Sequence, residues 1–431
     1  MFKDNESIER RFNITAEIVI MNKQGIALAA DSAITSGRDD IKKVYNTANK
    51  LFSLTEDQAV GVMVYGSASF MEIPWEVIIK CYREYLGTRT FSTLPQYMEH
   101  FLEFLRNDDR CNNPEMEEVS IYNTFYEILI QIVRKVEDDI NESEEEATDN
   151  TVAKWMDKYI DEDIEEFQQK DEILLELNYD DFKEKYRPII EEIEEDLISF
   201  SLTELLKEKL IKLAYEAART NSFSTGSSGL VFAGFGDKDL FPHLLNYRLE
   251  GFILGQLKFT KEIEKQISYT NQQKDGTAAI VPFAQREMID SFMGGMEPNM
   301  QDAIFNIIQK VLTEYPTQIQ KHVEDISLSE NHVTSLEKLG KDVYQTIKEA
   351  VWEYQQDYYI NPLLGIVRSL PKEDLADMAE TLINLTSFKR RVSRATESVG
   401  LPVDVAFITK GDGFVWRKRK NFVNHELNAR L

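Results

Sequence analysis

Short apolar runs dominate the first 70 residues and predict buried strands. Residues 15–21 and 26–30 are two such runs, and the segment between them, Asn22 to Gly25, is typical of a hairpin turn. A second pair of runs covers 50–54 and 60–65. The runs are nearly continuous rather than alternating, as in strands that are covered on both faces. We therefore expect the chain to open with two strand pairs inside a core.

The apolar residues change to a helical spacing after Pro74. The stripe from Trp75 to Leu86 predicts a helix that ends near Gly87. Further stripes cover 121–132, 182–197 and 206–217. Ser201 and Glu204 predict a capping box before the last of these helices. A helical segment therefore separates the first strands from the next ones.

Strand character returns after a segment rich in Ser and Gly at 221–229, and Glu250 with Gly251 is the turn expected within a meander. The predicted strands are 230–235, 244–249, 252–259, 277–282, 403–409 and 414–418, and the predicted helices are 300–312, 343–359, 371–389 and a stretch around 288–292. Strands that cluster, followed by helices that cluster, favour antiparallel sheets with helices outside them over a parallel βαβ sheet.

The composition argues against several classes of protein. The 431 residues include 49 Lys+Arg and 75 Asp+Glu, a formal charge of -26 that argues against a nucleic-acid partner. Two cysteines fit a reducing compartment, and no apolar stretch is long enough to predict a signal peptide or a membrane span, so we expect a cytoplasmic protein without a membrane partner. Eight carboxylates without a cation at 137–149 are typical of a solvated loop or helix face, not of a metal site.

The common catalytic and cofactor motifs are missing from the sequence. It contains no GxxxxGK[ST] phosphate loop, no GxGxxG, no GxSxG elbow and no HExxH, and its five histidines are scattered. Cys81 falls on an amphipathic helix and is interpreted as a packing residue. We expect no cofactor and no metal.

Four segments carry a resemblance to a known superfamily. Thr15 to Ser32, LysLeuPhe at 50–52, TyrGlySerAla at 65–68 and the closing segment 402–414 resemble a mature proteasome β-type subunit, and with it the bacterial proteasome-like peptidases of the N-terminal-nucleophile (Ntn) hydrolase superfamily. The resemblance implies an α+β fold, a four-layer αββα sandwich with a large helical insertion. The implied division is a leader at 1–14, a first sheet segment at 15–70, a helical insertion at 71–227 and the rest of the core at 228–431.

The resemblance also implies a catalytic site. In this superfamily the first residue of the processed chain supplies both the nucleophilic hydroxyl and, through its α-amine, the base. Carried over residue by residue, this makes Thr15 the nucleophile, Lys50 the neighbouring ammonium and Asp31 the carboxylate that holds Lys50. The other implied residues are Thr35 for substrate binding, the amide of Met63 for the oxyanion, and Glu397 and Ser398 as support. The implied partners are a peptide or amide substrate and further copies of the chain.

Three hypotheses remain open from the sequence. The first is a threonine-type peptidase or amidohydrolase that acts through Thr15 after leader removal. The second is a catalytically silent proteasome-like scaffold or binding protein, favoured by Ile14 before the expected cleavage point, by Met63 in place of a glycine, and by ValProPheAla at 281–284 where a serine-glycine motif is expected. The third, an internal hydrolytic site in the helical insertion, has no motif to support it.

Overall fold

The computed structural model describes residues 16–36, 43–45, 48–55, 58–143, 148–270, 276–322, 329–392 and 402–420. These residues form a mixed structure of α-helices and antiparallel sheets. The strands are β1 (Ala16–Asn22), β2 (Gly25–Ala30), β3 (Ile34–Ser36), β4 (Lys43–Tyr45), β5 (Leu51–Ser53), β6 (Val60–Gly66), β7 (Ser69–Phe70), β8 (Ile73–Pro74), β9 (Ser228–Gly234), β10 (His243–Ile253), β11 (Gln256–Gln266), β12 (Ala278–Ala284), β13 (Asp404–Thr409) and β14 (Gly413–Lys418).

Helices fill the intervals between the strand groups. They are α1 (Trp75–Leu86), α2 (Leu94–Asn107), α3 (Pro114–Ser143), α4 (Asp149–Gln168), α5 (Tyr179–Leu197), α6 (Glu204–Arg219), α7 (Glu287–Gly294), α8 (Pro298–His322), α9 (Glu330–Gln355), α10 (Asn361–Val367) and α11 (Lys372–Val392), with a π-helical turn at Gln356–Ile360 between α9 and α10. Among the described helices, none combines the length and the apolar character that a membrane span requires.

Two five-stranded sheets form the centre of the structure. The first sheet has the order β12-β1-β2-β13-β14 and the second the order β11-β10-β9-β6-β5. The predicted hairpin between β1 and β2 is confirmed, with Asn22 paired to Gly25, and so is the closing hairpin of β13 and β14. Every residue of β1 and β2 is buried, as expected for strands covered on both faces.

Alternation along the strands directs side chains to opposite faces of each sheet. In the first sheet Val19 and Leu28 pack on Met63 and Val231 of the second, so the two sheets share an apolar layer. The other face of the first sheet, which includes Ile18, packs against helix residues such as Leu375 and Leu382 of α11. The other face of the second sheet packs against residues of α1 and α2 such as Trp75 and Phe101.

Helices α3 to α6 share an apolar cluster, which also includes Ile253 of β10. They are joined to the second sheet through Glu117 of α3, a carboxylate only 2% exposed. It accepts hydrogen bonds from Lys185 Nζ at 2.5 Å, from the hydroxyl of Tyr186, and from the backbone N–H groups of Leu254 and Gly255 at 3.0 and 3.1 Å. The insertion is therefore held at the turn between β10 and β11. The domain boundaries stay a prediction.

Some predicted local features are wrong. The N-cap of α6 is Thr203, whose side chain accepts from Leu206 N, so Ser201 and Glu204 make no capping box there. The turn expected at Glu250 and Gly251 lies instead at 254–255, because both residues belong to β10. Helix α9 begins at Glu330 and not at 343.

Candidate functional site

Asp31 joins the end of β2 to the start of β1. Its N–H donates to the carbonyl of Ala16 at 3.1 Å, and its carboxylate Oδ1 accepts the N–H of Ala16 at 3.2 Å. The other oxygen, Oδ2, accepts from Ala33 N at 3.2 Å, and the residue is fully buried. Asp31 is thus held by backbone amides one peptide bond from Thr15, the position that the sequence predicts to be the nucleophile.

Lys50 brings a positive charge to this carboxylate from the second sheet. It precedes the edge strand β5, and its backbone carbonyl accepts from Val64 N at 2.9 Å. Its Nζ lies 2.5 Å from Asp31 Oδ1 and 3.6 Å from Glu17 Oε1. Lys50 is 5% exposed and both carboxylates are fully buried. These three side chains, which we call the ion cluster, connect the two sheets across their shared apolar layer.

Burying the ion cluster costs free energy, so stabilisation of the fold alone is a poor explanation for its presence. Removing a carboxylate and an ammonium from water costs several kcal/mol per ion, and apolar replacements of similar volume are often as stable. The pair of Lys258 and Glu250 is buried as deeply, so burial alone does not select a site. The ion cluster is the candidate site because it brings together Asp31 and Lys50, two residues that the resemblance implies.

A second buried pair lies beside the ion cluster, and the sequence did not predict it. Lys420 Nζ lies 2.8 Å from Asp404 Oδ2, donates to Ser32 Oγ at 2.9 Å and also donates to the carbonyl of Ala48. Burial lowers the pKa of Lys420, and the like charge of Lys50 lowers it further, although Asp404 opposes both. Ser32 follows Asp31 in the chain, so the ammonium groups of Lys50 and Lys420 bond to neighbouring residues.

A polar group of three residues occupies the layer between the sheets near β12. The hydroxyl of Tyr65 donates to Glu262 Oε2 at 3.1 Å, and Asn246 Nδ2 donates to that hydroxyl at 2.8 Å. Burial, and then the charge of Glu262, raise the pKa of Tyr65 above its usual value, so the phenol remains a donor. The Tyr65 ring lies 5.5 Å from that of Phe283, which pairs with Glu17 across β1 and β12.

The structure places the predicted residues as follows. Asp31 and Lys50 are in contact. Met63 lies inside β6, between Leu51 of β5 and Val231 of β9, and its buried side chain belongs to the layer between the sheets. Thr35 is in β3, paired with Val44 of β4. Thr15, Glu397 and Ser398 lie outside the described residues. The roles assigned to all of these residues stay predictions.

Three residues around the site could have been suspected from the sequence. Glu17 and Asp404 are single carboxylates within otherwise apolar strands, a pattern that indicates a buried partner. Lys420 gave a weaker signal, because it ends a basic run, ArgLysArgLys, that is typical of a solvated surface.

The comparisons with known proteins add no family. No protein-family model matches the chain, and no curated protein sequence matches it. Across the described ranges, no group of three or more His, Cys, Asp or Glu side chains could hold a metal ion. The site therefore has to be interpreted from its own side chains.

Proposed function

We propose that the chain is a threonine-type amidohydrolase or peptidase of the Ntn superfamily, with Thr15 as nucleophile. The observation that carries the proposal is the contact between Lys50 and Asp31 directly beside Ala16. The resemblance implies the same two residues as members of one site. The arrangement of two facing sheets, with helices on the outer face of each, also supports the four-layer αββα sandwich as the fold.

The proposed chemistry begins with cleavage of the bond between Ile14 and Thr15. The new α-amine has an ordinary pKa of about 7.7 to 8.0, which suits a base at neutral pH, and a nearby ammonium lowers such a pKa by like-charge repulsion. The amine takes the proton of the Thr15 hydroxyl as its oxygen attacks the substrate carbonyl carbon. The proton then passes to the leaving amine, and water hydrolyses the acyl ester. Asp31 positions Lys50.

Intact mass and activity of the full chain test this proposal. We expect a mass that corresponds to a first residue of Thr15, and hydrolysis of peptide or acyl-amide substrates that disappears in Thr15→Ala. Thr313→Ala, an exposed substitution on α8, is the matched control and should keep both properties. A mass that retains Met1, together with no turnover of a broad amide library, would contradict the proposal.

The alternative is a silent proteasome-like protein that uses the fold for assembly. One structural observation favours it: ValProPheAla at 281–284 lies within β12, so the serine-glycine motif expected near a helix start is replaced by strand residues. Under this alternative the leader stays attached, Thr15→Ala changes the mass only by the substitution itself, and binding is unchanged. In both cases we propose a cytoplasmic protein that assembles with copies of itself, as its proposed relatives do.

A further inference from the structure

Helices α8 and α9 pack against each other as an antiparallel hairpin. Gln355 Nε2 donates to Gln301 Oε1 at 3.0 Å near the base, and the rings of Phe305 and Tyr344 lie 6.3 Å apart further along. Gly340 approaches Leu312 so closely that a Cβ would lie 2.9 Å from the Leu312 carbonyl oxygen. These contacts define which positions of the two helices are level with each other.

An apolar stripe runs along one side of each helix. On α8 it contains Met300, Ile307, Val311 and Tyr315, spaced by seven, four and four residues, and on α9 it contains Leu339, Val343 and Tyr354. At 3.6 residues per turn these spacings keep each set on one side of its helix. All seven side chains are between 39% and 63% exposed, so neither stripe is covered.

The two stripes lie on the same face of the hairpin. Viewed along each helix axis from its N-terminus, the stripe lies about 100° around the helix from the side that contacts the other helix. The direction of this rotation is the same for α8 and α9. Because the two helices run antiparallel, equal rotations in the same direction place both stripes on the same face of the hairpin. The level pairs are then Met300 with Tyr354, Val311 with Val343, and Tyr315 with Leu339, and the face is about 22 Å long at 1.5 Å per residue.

This face is almost free of charge, although 29% of the chain is charged. Between the stripe residues it presents Ala303, Ile304, Thr346 and Ala350; Glu314 lies among them near the tip, and Lys310 and Glu353 lie at the margins of the face. Helices α8 and α9 together carry five lysines and seven acidic residues, a formal charge of -2 out of the chain's -26. Depletion of charge is what distinguishes the buried centre of a protein interface from other surface.

The exposed apolar area approaches what one partner contributes to a stable dimer. Aromatic side chains bury roughly 150–250 Å² when fully covered, and aliphatic ones bury less. The two tyrosines and five aliphatic residues, each about half exposed, therefore offer about 600 Å². A standard interface takes about 800 Å² from each partner, and the largest patch of an ordinary monomer is about 300–600 Å².

We propose that this face is covered by the same face of a second copy. The α8–α9 hairpins of two chains then form a four-helix layer around a two-fold axis, an isologous contact that closes on itself. A charged partner has no complementary charge to bind here. A second copy supplies a face of equal length and matching apolar character, and the formal charge of only -2 on helices α8 and α9 keeps the repulsion between two acidic chains low at the contact. The inference does not depend on the chemistry at Thr15.

The test is the mass of the full-length protein in solution across the micromolar range, measured by light scattering and sedimentation. We expect a dimer for the wild type and a dissociation constant at least ~100-fold weaker for Ile307→Glu/Val343→Glu, because burying unpaired carboxylates is costly. The matched control, Asn306→Glu/Gln345→Glu, adds the same charge on the opposite side of the same helices and should remain a dimer.

Circular dichroism checks that the variants are folded, and Ile307→Gln/Val343→Gln replaces the charged variant if that one unfolds. A wild-type protein that is monomeric throughout the range overturns the proposal, even if it captures a different protein through this face. An oligomer that persists unchanged in the Glu or Gln variants also overturns it, because the contact then lies elsewhere.

Discussion

Replacing Lys50 by Met tests the ion cluster without assuming any activity. Met has a similar length and no charge, so Lys50→Met removes the ammonium and leaves most of the packing. Asp31 then remains fully buried, with its carboxylate bonded to the N–H groups of Ala16 and Ala33 at 3.2 Å. Glu17, 3.6 Å from the lost ammonium, loses the same attraction.

The expected loss follows from burial. Removing one partner of a buried pair costs about 3–5 kcal/mol, because the other charge stays out of water. The two backbone hydrogen bonds to Asp31 offset part of this, so we expect the free energy of unfolding to fall by about 3 kcal/mol. The matched control is Lys80→Met. Lys80 bonds Glu76 at 2.8 Å with side chains 61% and 38% exposed, and its loss should cost less than about 0.5 kcal/mol.

Guanidinium unfolding followed by fluorescence and circular dichroism measures both variants. The double variant Lys50→Met/Asp31→Asn should be less destabilised than the sum of the single variants by about 1–3 kcal/mol, since the residues are in contact. If Lys50→Met stays within about 1 kcal/mol of the wild type, or if the two substitutions are additive, the ion cluster is not a coupled buried pair and the argument for the site fails.

Three further predictions follow from other buried groups. Burial alone would raise the pKa of Glu117, but its hydrogen-bond donors lower it below the usual value, so its stabilising contribution is complete above about pH 4.3 and is lost as the pH falls below that. Unfolding curves should therefore show Glu117→Gln about 2 kcal/mol less stable at pH 7 and a shrinking difference in acid; a difference that grows in acid contradicts this sign. Gly234→Ala should cost about 2 kcal/mol or more in thermal or denaturant unfolding, because φ is +146° and a Cβ would lie 2.0 Å from a carbonyl oxygen, whereas Gly411→Ala, with nothing within 4 Å, should be near neutral. A thiol reagent at pH 8 should label Cys81 in the native protein but not Cys111, whose pKa burial raises to about 12, and equal labelling of both would contradict the buried position.

Local patterns predicted a strand or a helix correctly where the spacing of the apolar residues fits only one of the two backbone geometries. The hairpin of β1 and β2, the helix from Trp75 to Leu86, and the closing hairpin all follow from apolar runs or stripes bounded by turn residues. The expected turn at Glu250 and Gly251 was wrong for a tertiary reason. Glu250 lies 2.8 Å from the buried ammonium of Lys258 on β11, and it is accommodated as a bulge, so that β10 continues through the glycine.

For the candidate site, the resemblance placed Asp31 and Lys50 together, and the structure brings them into contact. Periodicity alone could not do so, because Asp31 ends one strand and Lys50 precedes another in a different sheet. The Lys420 and Asp404 pair was missed because Lys420 ends a basic run that is typical of solvated surface, and only the fold covers it.

The sequence by itself determined the alternation of strand groups with helix groups, the two hairpins and the acidic character of the chain, because these depend on neighbouring residues and on composition. The tertiary structure alone decided which charges are buried and which faces are left uncovered. Lys420 bonds a serine 388 residues away, and the stripes of α8 and α9 share a face only because the helices pair antiparallel. The cost of removing a charge from water depends on the side chains that surround it in space, and no local spacing records them.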